Sequence, residues 1–190
     1  IIAFCICSVF INSSSEHNLN IQFSTTNDIP RYDRLTDLKS NGDLKTATWN
    51  YGPQKRILAA YQYNKQKALL NSDLNIAASY QNIEESRITR DYQKTGEVSR
   101  IEKVNIYGLN IDLKAKIGKG ELLYGIDTFY DDLNSTANTL NVIDGSLSSA
   151  STRYPDGKNY NYKADVFVSY FGKINENTVF NLGARSGFNK

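Results

Sequence analysis

The feature that most constrains this chain is an uninterrupted two-residue alternation in residues 107–132, YGLNIDLKAKIGKGELLYGIDTFYDD. Apolar or aromatic side chains occupy every second position from Tyr107 to Ile117, with polar residues or glycine between them. Because successive side chains of a β-strand point to opposite faces, this period predicts a strand with one apolar and one polar face. A Gly-Lys-Gly turn at 118–120 follows, and the alternation then resumes. The stretch therefore predicts a β-hairpin.

The apolar face of such a hairpin could lie against a soluble core or against membrane hydrocarbon. A membrane-spanning helix needs roughly 18 or more consecutive apolar residues, and the sequence contains no such run. The mean hydropathy of −0.48 resembles that of a soluble protein. A membrane β-barrel has a similar average, because half of its side chains face a polar lumen. Hydropathy therefore does not separate the two alternatives.

Period-2 patterns and turn signals predict about seven consecutive strands joined in chain order. Their centres lie in residues 17–26, 54–64, 74–81, 107–117, 120–132, 160–170 and 180–185. The predicted connections alternate in length along the chain. Short ones lie near 65–72, 118–120 and 173–177, and long ones near 27–51, 87–100 and 132–159. Short turns at one rim and long loops at the other are typical of outer-membrane barrels.

Aromatic residues mark both ends of the predicted strands on the apolar face. Those near the short turns are Tyr61, Tyr63, Tyr124, Tyr170 and Phe180, and those near the long loops are Tyr107, Tyr130, Tyr160 and Tyr162. Two rows of amphipathic rings around an aliphatic band are what two membrane interfaces favour, although tyrosine is also a common strand residue. We therefore expect the apolar face to meet lipid. Its predicted lipid-facing residues are Leu109, Ile111, Leu113, Ile126, Val166 and Val168.

The opposite face carries charges of both signs, which favours a large, wet lumen over a small, packed barrel. Its predicted members are Asp112, Lys114, Lys116, Asp127, Lys163, Asp165 and Arg185. At roughly 25 to 30 residues per strand and connection, a barrel of about 22 strands needs several hundred residues. We therefore expect this chain to be about a third of the wall of a transmembrane antiparallel up-and-down barrel.

The sequence offers little for catalysis or metal binding. The one histidine, His17, lies beside a predicted turn without a nucleophile or carboxylate partner in sight, so we interpret it as a solvated turn residue. Two cysteines, Cys5 and Cys7, are too close in sequence for an ordinary disulfide and lack further zinc ligands. The net charge of +2 is spread along the chain and gives no basic surface for nucleic acid. We expect no enzyme activity, no cofactor and no nucleic-acid partner.

Loop segments that mix arginine, tyrosine and acidic residues are the remaining candidates for recognition. They are IPRYDRLTD (29–37), EESRITRDY (84–92) and TRYPDGK (152–158), all at the predicted long-loop rim. Arginine and tyrosine presented on loops of a rigid scaffold are common in binding sites, although salt bridges between loops are an equally ordinary role. The candidate ligand contacts are Arg31, Tyr32, Arg34, Arg87, Arg90, Arg153 and Tyr154.

Five segments also resemble a known family. NDIPRYDRLTD, WNYGPQKRILAAYQYN, YQNIEESRITRDY, SRIEKVNIYGLNIDL and TRYPDGKNYN look like the barrel of TonB-dependent outer-membrane receptors, in particular the Bacteroidetes-type members grouped with haem, haemoglobin and transferrin-type receptors. The resemblance runs from about residue 18 to 188. It implies the middle part of a 22-stranded barrel in the outer membrane, closed by a plug domain of the parent chain.

Further expectations follow from that resemblance. It implies energy coupling through the TonB complex, outer-membrane lipid as the surroundings, and haem, a haemoprotein or a siderophore-like compound as the ligand. Residues 17–190 would then be the partial barrel, while residues 1–16 are either a preceding strand or a fragment artefact. The alternatives from other classes are a general porin or autotransporter barrel and a soluble ligand-binding β-sandwich.

Overall fold

The computed structural model describes residues 2–155 and 157–190, and the side chains of 13–155, 157 and 159–190. Asp156 of the TRYPDGK segment and the side chains of Cys5 and Cys7 therefore lie outside the described residues. The strands are β1 (Ile2–Asn12), β2 (Ser15–Thr25), β3 (Ile29–Pro30), β4 (Thr46–Tyr51), β5 (Lys55–Leu69), β6 (Ser72–Asp91), β7 (Gly96–Ile117), β8 (Gly120–Asn141), β9 (Leu147–Ser149), β10 (Gly157–Asn175) and β11 (Thr178–Asn189). One short helix, α1 (Tyr32–Leu35), lies between β3 and β4. In this part of the chain, no helix combines the length and the apolarity that crossing a membrane requires.

All the strands belong to one antiparallel sheet. Its long strands follow chain order, β1-β2-β5-β6-β7-β8-β10-β11, and the short strands β3, β4 and β9 pair alongside. The prediction of an all-β, up-and-down meander is confirmed, with eight long strands rather than about seven. The additional strand is β1, whose apolar residues pair with β2 from Ile2 opposite Ser24 to Asn12 opposite Ser15. The sheet is not closed on itself.

Tight turns join the long strands at one end of the sheet. Residues 13–14, 70–71, 118–119 and 176–177 each form a two-residue turn between paired strands. Gly118 has a φ of +61°, which glycine adopts at little steric cost at the first loop position of a tight hairpin. At the other end, residues 26–54 and 142–156 form the two long connections. The predicted sorting of short and long connections therefore holds at these positions.

The predicted long loop at 87–100 was wrong. Strands β6 and β7 continue through it to Asp91 and from Gly96, so the connection is a turn at 92–95. Arg87 and Arg90, expected on a loop, lie instead within β6. The sequence hid this extension because polar residues occupy both faces there, which removes the apolar period while leaving β-branched residues to pair across the strands.

The ladder gives the sheet two unlike faces. Residues directly opposite each other across strands point to the same side, so one row carries Ile76, Ile111, Ile126 and Val166 on four successive strands. We call this side the apolar face; it includes all six residues predicted to face lipid. Leu109, Ile126, Val166 and Val168 are exposed on it, and Ile111 and Leu113 are half-buried. Within the described residues, no second sheet covers this face.

The other side, which we call the polar face, carries a hydrogen-bonded network. Arg185 lies 2.6 Å from Asp127 and 2.7 Å from Asp165, and Asn110 donates to Asp127 over 2.5 Å. A depression of about 590 Å³ lies on this face near the short turns, and its lining residues come from β2, β5, β6, β7 and β8. The depression thus spans five adjacent strands of the polar face.

Candidate functional site: an arginine and tryptophan cluster on the polar face

A β-bulge positions the candidate site, because beyond it the side chains that pointed to one face of the sheet point to the other. Both β4 and β5 pair with β6, with Tyr51 opposite Arg87 and Lys55 opposite Glu84. The chain advances four residues from Tyr51 to Lys55 but only three from Glu84 to Arg87 on β6. One extra residue on one strand is the signature of a β-bulge. Gly52 lies in the bulge with a φ of +102°, and a Cβ at this position would lie 2.7 Å from the backbone oxygen of Asn27. Because the count shifts by one, Tyr51 lies on the polar face and Lys55 on the apolar face.

The cluster consists of Arg31, Trp49, Tyr51, Arg87 and Arg100. The guanidinium of Arg31 lies 4.7 Å from the centre of the Trp49 ring, and that of Arg87 lies 5.4 Å from it. Arg87 also lies 5.5 Å from the Tyr51 ring, and the two aromatic rings meet edge to face at 4.6 Å. Both guanidinium groups are within cation–π distance of the indole. Two arginines from distant segments thus converge on one tryptophan.

The charge of Arg31 is compensated by a neighbour. Its Nε donates to Asp33 over 3.0 Å, and a second guanidinium nitrogen also bonds to that carboxylate. The hydrogen bonds from Arg31 hold the pKa of Asp33 below its usual value, and the same pair raises the pKa of Arg31. The backbone N–H of Arg31 also donates to the carbonyl of Trp49 over 2.9 Å. Arg31 is therefore fixed over the indole, and its charge is neutralised locally.

Arg87 and Arg100 are in a different electrostatic position. They are directly opposite each other on β6 and β7, so two like charges share one row of the polar face. Arg100 donates through Nε to the carbonyl of Ser151 over 3.1 Å, which ties the long connection between β8 and β10 to this row. Among the described residues, Arg87 has no hydrogen-bond acceptor, and its Nε is shielded from solvent. Directly opposite like charges are destabilising unless something neutralises them.

The other predicted ligand residues do not join the cluster. Tyr32 and Arg34 lie on α1, where Tyr32 is 73 % exposed and Arg34 lies 3.9 Å from Asp33. Arg90 lies on the opposite face of β6, 3.8 Å from Glu97. In the long connection between β8 and β10, the guanidinium of Arg153 lies 6.0 Å from the ring of Tyr154. The structure thus brings together only two of the seven predicted residues, Arg31 and Arg87.

Sequence reasoning missed Trp49, Tyr51 and Arg100. Trp49 is the only tryptophan in the chain and lies in WNYGP, where Gly-Pro interrupts an alternating pattern. That interruption is the signal that could have located the bulge, since glycine within a strand pattern often marks one. The pairing of Arg87 with Arg100 depends on strand register, which no local pattern revealed.

A row of tyrosines bounds the apolar face at the long-loop end. Tyr80 and Tyr107 lie 5.2 Å apart by ring centres, Tyr107 and Tyr130 lie 6.2 Å apart, and Tyr130 and Tyr160 lie 6.5 Å apart. Beyond this row the same face changes character. The next row carries Asn82, Asn105 and Asp132 on β6, β7 and β8. The row after it carries Lys55, Glu84 and Lys103 on β5, β6 and β7. Glu84 bridges the two lysines at 3.4 and 3.0 Å.

A second aromatic group lies toward the short turns. Tyr170 and Phe180 contact each other at 5.7 Å, and the hydroxyl of Tyr170 donates to the carbonyl of Ile117 over 3.2 Å. Toward the other edge of the sheet, on β2 and β5, His17 lies 4.8 Å from the ring of Tyr63, with Nδ1 2.5 Å from the hydroxyl of Tyr61. His17 is thus part of strand β2 and contacts two tyrosines of β5, and it is not a turn residue as expected.

Comparison with known proteins adds no identification: no family model, no curated protein and no solved structure matches the chain. Among the described side chains, no group of three or more histidine, cysteine, aspartate or glutamate residues is placed to hold a metal ion. The geometry of the two faces and of the arginine and tryptophan cluster is therefore the basis for a functional interpretation.

Proposed function

We propose that this chain forms part of the wall of an outer-membrane β-barrel, and that the barrel belongs to a TonB-energised receptor for scarce iron-containing or other large ligands. The observation that carries the proposal is the apolar face. It extends over all the long strands whose side chains are described, and on β6, β7 and β8 two rows of polar and charged residues follow the tyrosine row.

The dimensions of this face agree with a bilayer. From Tyr107 to Ile117 the strand extends ten residues, or about 34 Å at about 3.4 Å per residue. With the strand tilt of about 40° usual for membrane barrels, this corresponds to about 26 Å across the membrane. The apolar band of such barrels is about 25 Å tall. Aromatic residues at both ends of the band favour the same assignment.

The polar face suits a wet lumen. It carries ionic and amide side chains bonded to one another, as in the group formed by Arg185, Asp127 and Asp165, and a depression that spans five strands. An open sheet with an uncovered apolar face also has unpaired backbone groups along β1 and β11. In a barrel, further strands would satisfy both edges. A soluble sandwich would instead need a second sheet over the apolar face, and the described residues form a single sheet.

A receptor is favoured over a general pore by what lies at the long-loop end. The bulge turns Trp49 and Tyr51 inward, beside arginines that carry free donors. Aromatic and arginine side chains on a rigid scaffold provide strong, orienting contacts for a ligand. The resemblance to TonB-dependent receptors supplies the remainder of the proposal: a plug from the parent chain, and haem, a haemoprotein or a siderophore-like cargo.

Vesicle flotation tests the membrane assignment. The chain, unfolded in urea, is diluted into phosphatidylcholine vesicles or into buffer alone, and both samples are then centrifuged. We expect the chain to float with the vesicles as a β-rich, protease-resistant species and to aggregate in buffer, since its open edges and apolar face are exposed there. A monodisperse, soluble monomer in detergent-free buffer that ignores the vesicles would refute the proposal.

A further inference from the structure

We propose that Arg87 and Arg100 form the binding site for an oxyanion, a carboxylate or phosphate group of a ligand, with Trp49 beside it. The inference starts from a charge imbalance. The two arginines are directly opposite each other on the polar face, and no ion pair within 4 Å involves either of them in the described part of the chain. At the spacing of cross-strand neighbours, about 5 Å between Cβ atoms, the two positive charges repel each other.

Hydrogen bonding points the same way. A guanidinium has five N–H donors in a planar fork. No described residue accepts a hydrogen bond from Arg87, and its Nε is the one nitrogen of that group that is also shut off from water. Arg100 uses Nε for the carbonyl of Ser151, which leaves its two terminal nitrogens without a described partner. A buried donor without an acceptor, such as this Nε, is rare and costly, and an oxyanion could accept from it and from the terminal nitrogens of both arginines.

The neighbouring charges do not remove the need for an anion. Glu85 and Glu102 form the next row on the same face, displaced by two residues, or about 7 Å along the strands. Glu102 is buried at 7 % exposure, and Ser135 donates to it over 3.4 Å. These carboxylates reduce the net charge of the region but reach neither guanidinium within 4 Å.

The aromatic side of the site adds a planar contact. Trp49 and Tyr51 both lie on the β4 side of Arg87, with their ring centres 5.4 and 5.5 Å from its guanidinium carbon, and these cation–π contacts orient the guanidinium. A pre-oriented fork loses less entropy when it binds a carboxylate or phosphate through two parallel hydrogen bonds. The site therefore suits a ligand whose anionic group enters from the lumen side, next to the indole.

Tryptophan fluorescence tests this directly, because Trp49 is the only tryptophan in the chain. The full chain, folded in detergent micelles, is titrated with citrate, with inorganic phosphate, and with sodium chloride at matched ionic strength. We expect a saturable change in emission with citrate or phosphate and none with chloride. A response to citrate alone identifies a carboxylate site, and a response to phosphate alone identifies a phosphate site.

Variants locate the site. Arg87→Gln and Arg100→Gln should each weaken the binding at least tenfold, equivalent to about 1.4 kcal/mol. Arg56→Gln is the matched control, because Arg56 lies on the same face but donates two hydrogen bonds to Gln81 at 3.1 and 2.7 Å. Should a glutamine variant fail to fold, Arg87→Lys keeps the charge but loses the planar fork and should also bind more weakly.

Two results would overturn the inference: no saturable response in the folded chain, or equal affinity in the wild type and the Arg87→Gln/Arg100→Gln double variant. The inference rests on the proposed function only for the statement that the site opens into a lumen. A chain that binds citrate or phosphate in micelles but never enters vesicles contradicts the membrane proposal alone. A chain that inserts but does not bind contradicts this inference alone.

Discussion

Placing a positive charge on the apolar face gives the sharpest test of the membrane assignment. Ile111 lies in the row that carries Ile76, Ile126 and Val166 on the neighbouring strands, all aliphatic. It is four residues from Tyr107, which is about 14 Å along the strand and about 10 Å below the tyrosine row at a 40° tilt. That depth is close to the middle of an apolar band about 25 Å tall, where arginine costs about 2 to 4 kcal/mol.

The matched control is the same substitution outside the proposed bilayer. Ile101 lies on the same strand and the same face, six residues to the other side of Tyr107, and like Ile111 it is half-buried. Ile101→Arg should therefore cost about 0 to 1 kcal/mol, as expected for arginine at or beyond an interface. The difference between the two variants isolates depth in the membrane from the chemistry of the substitution.

The assay is the partition of each variant between buffer and phosphatidylcholine vesicles, measured by flotation and by protection from protease. A cost of 2 to 4 kcal/mol lowers the partition of Ile111→Arg by about 30-fold to about 1000-fold, against less than about fivefold for Ile101→Arg. If both variants partition as the wild type does, or if Ile101→Arg is the more severe, the apolar face is not in contact with lipid.

Two further predictions concern the polar face and the bulge. Arg185→Gln should lower the stability to urea, because Asp127 and Asp165 would then be directly opposite without a shared cation. Adding Asp165→Asn should restore most of the loss, and a double variant as weak as Arg185→Gln would contradict this account. Gly52→Ala should shift the tryptophan emission and cost more than about 1 kcal/mol, since strain at positive φ adds to a contact with backbone. Gly42→Ala, at a φ of +87° with open space around it, should cost only the strain, so equal effects of the two would count against the bulge.

The sequence was sufficient where one period extended over a whole strand and both ends had turn residues. Residues 107–132 predicted the central hairpin correctly, with the turn at 118–119 and the apolar face on the odd-numbered side of β7. The residues predicted for the charged face also share one face of the sheet, because alternation alone assigns each residue to a face. Both predictions depend only on neighbours along the chain, which a sequence displays directly.

Prediction failed where long-range pairing decides the structure. Residues 87–100 read as a loop because both faces are polar there, yet they pair in register over the ends of β6 and β7. The candidate site was harder still to predict, because the bulge decides on which face of the sheet Trp49 lies. The bulge consists of one extra residue between Tyr51 and Lys55 compared with the paired segment of β6. A shift of one residue moves every following side chain to the other face, and no local pattern reveals it.

Among the described residues, like charges are directly opposite each other at three places on the polar face: Glu85 and Glu102, Asp127 and Asp165, and Arg87 and Arg100. A comparison of the last two explains why only one of them is a candidate site. Asp127 and Asp165 are directly opposite each other, and Arg185 lies within 2.7 Å of both, so the chain supplies the counter-ion itself. Arg87 and Arg100 are also directly opposite, but among the described residues no carboxylate reaches them within 4 Å, and the donors of Arg87 have no acceptor. An arrangement that costs free energy without a ligand persists only where surrounding contacts hold it, here the stacking on Trp49 and the bond to Ser151. Strain of this kind clusters at binding sites, because the ligand releases it.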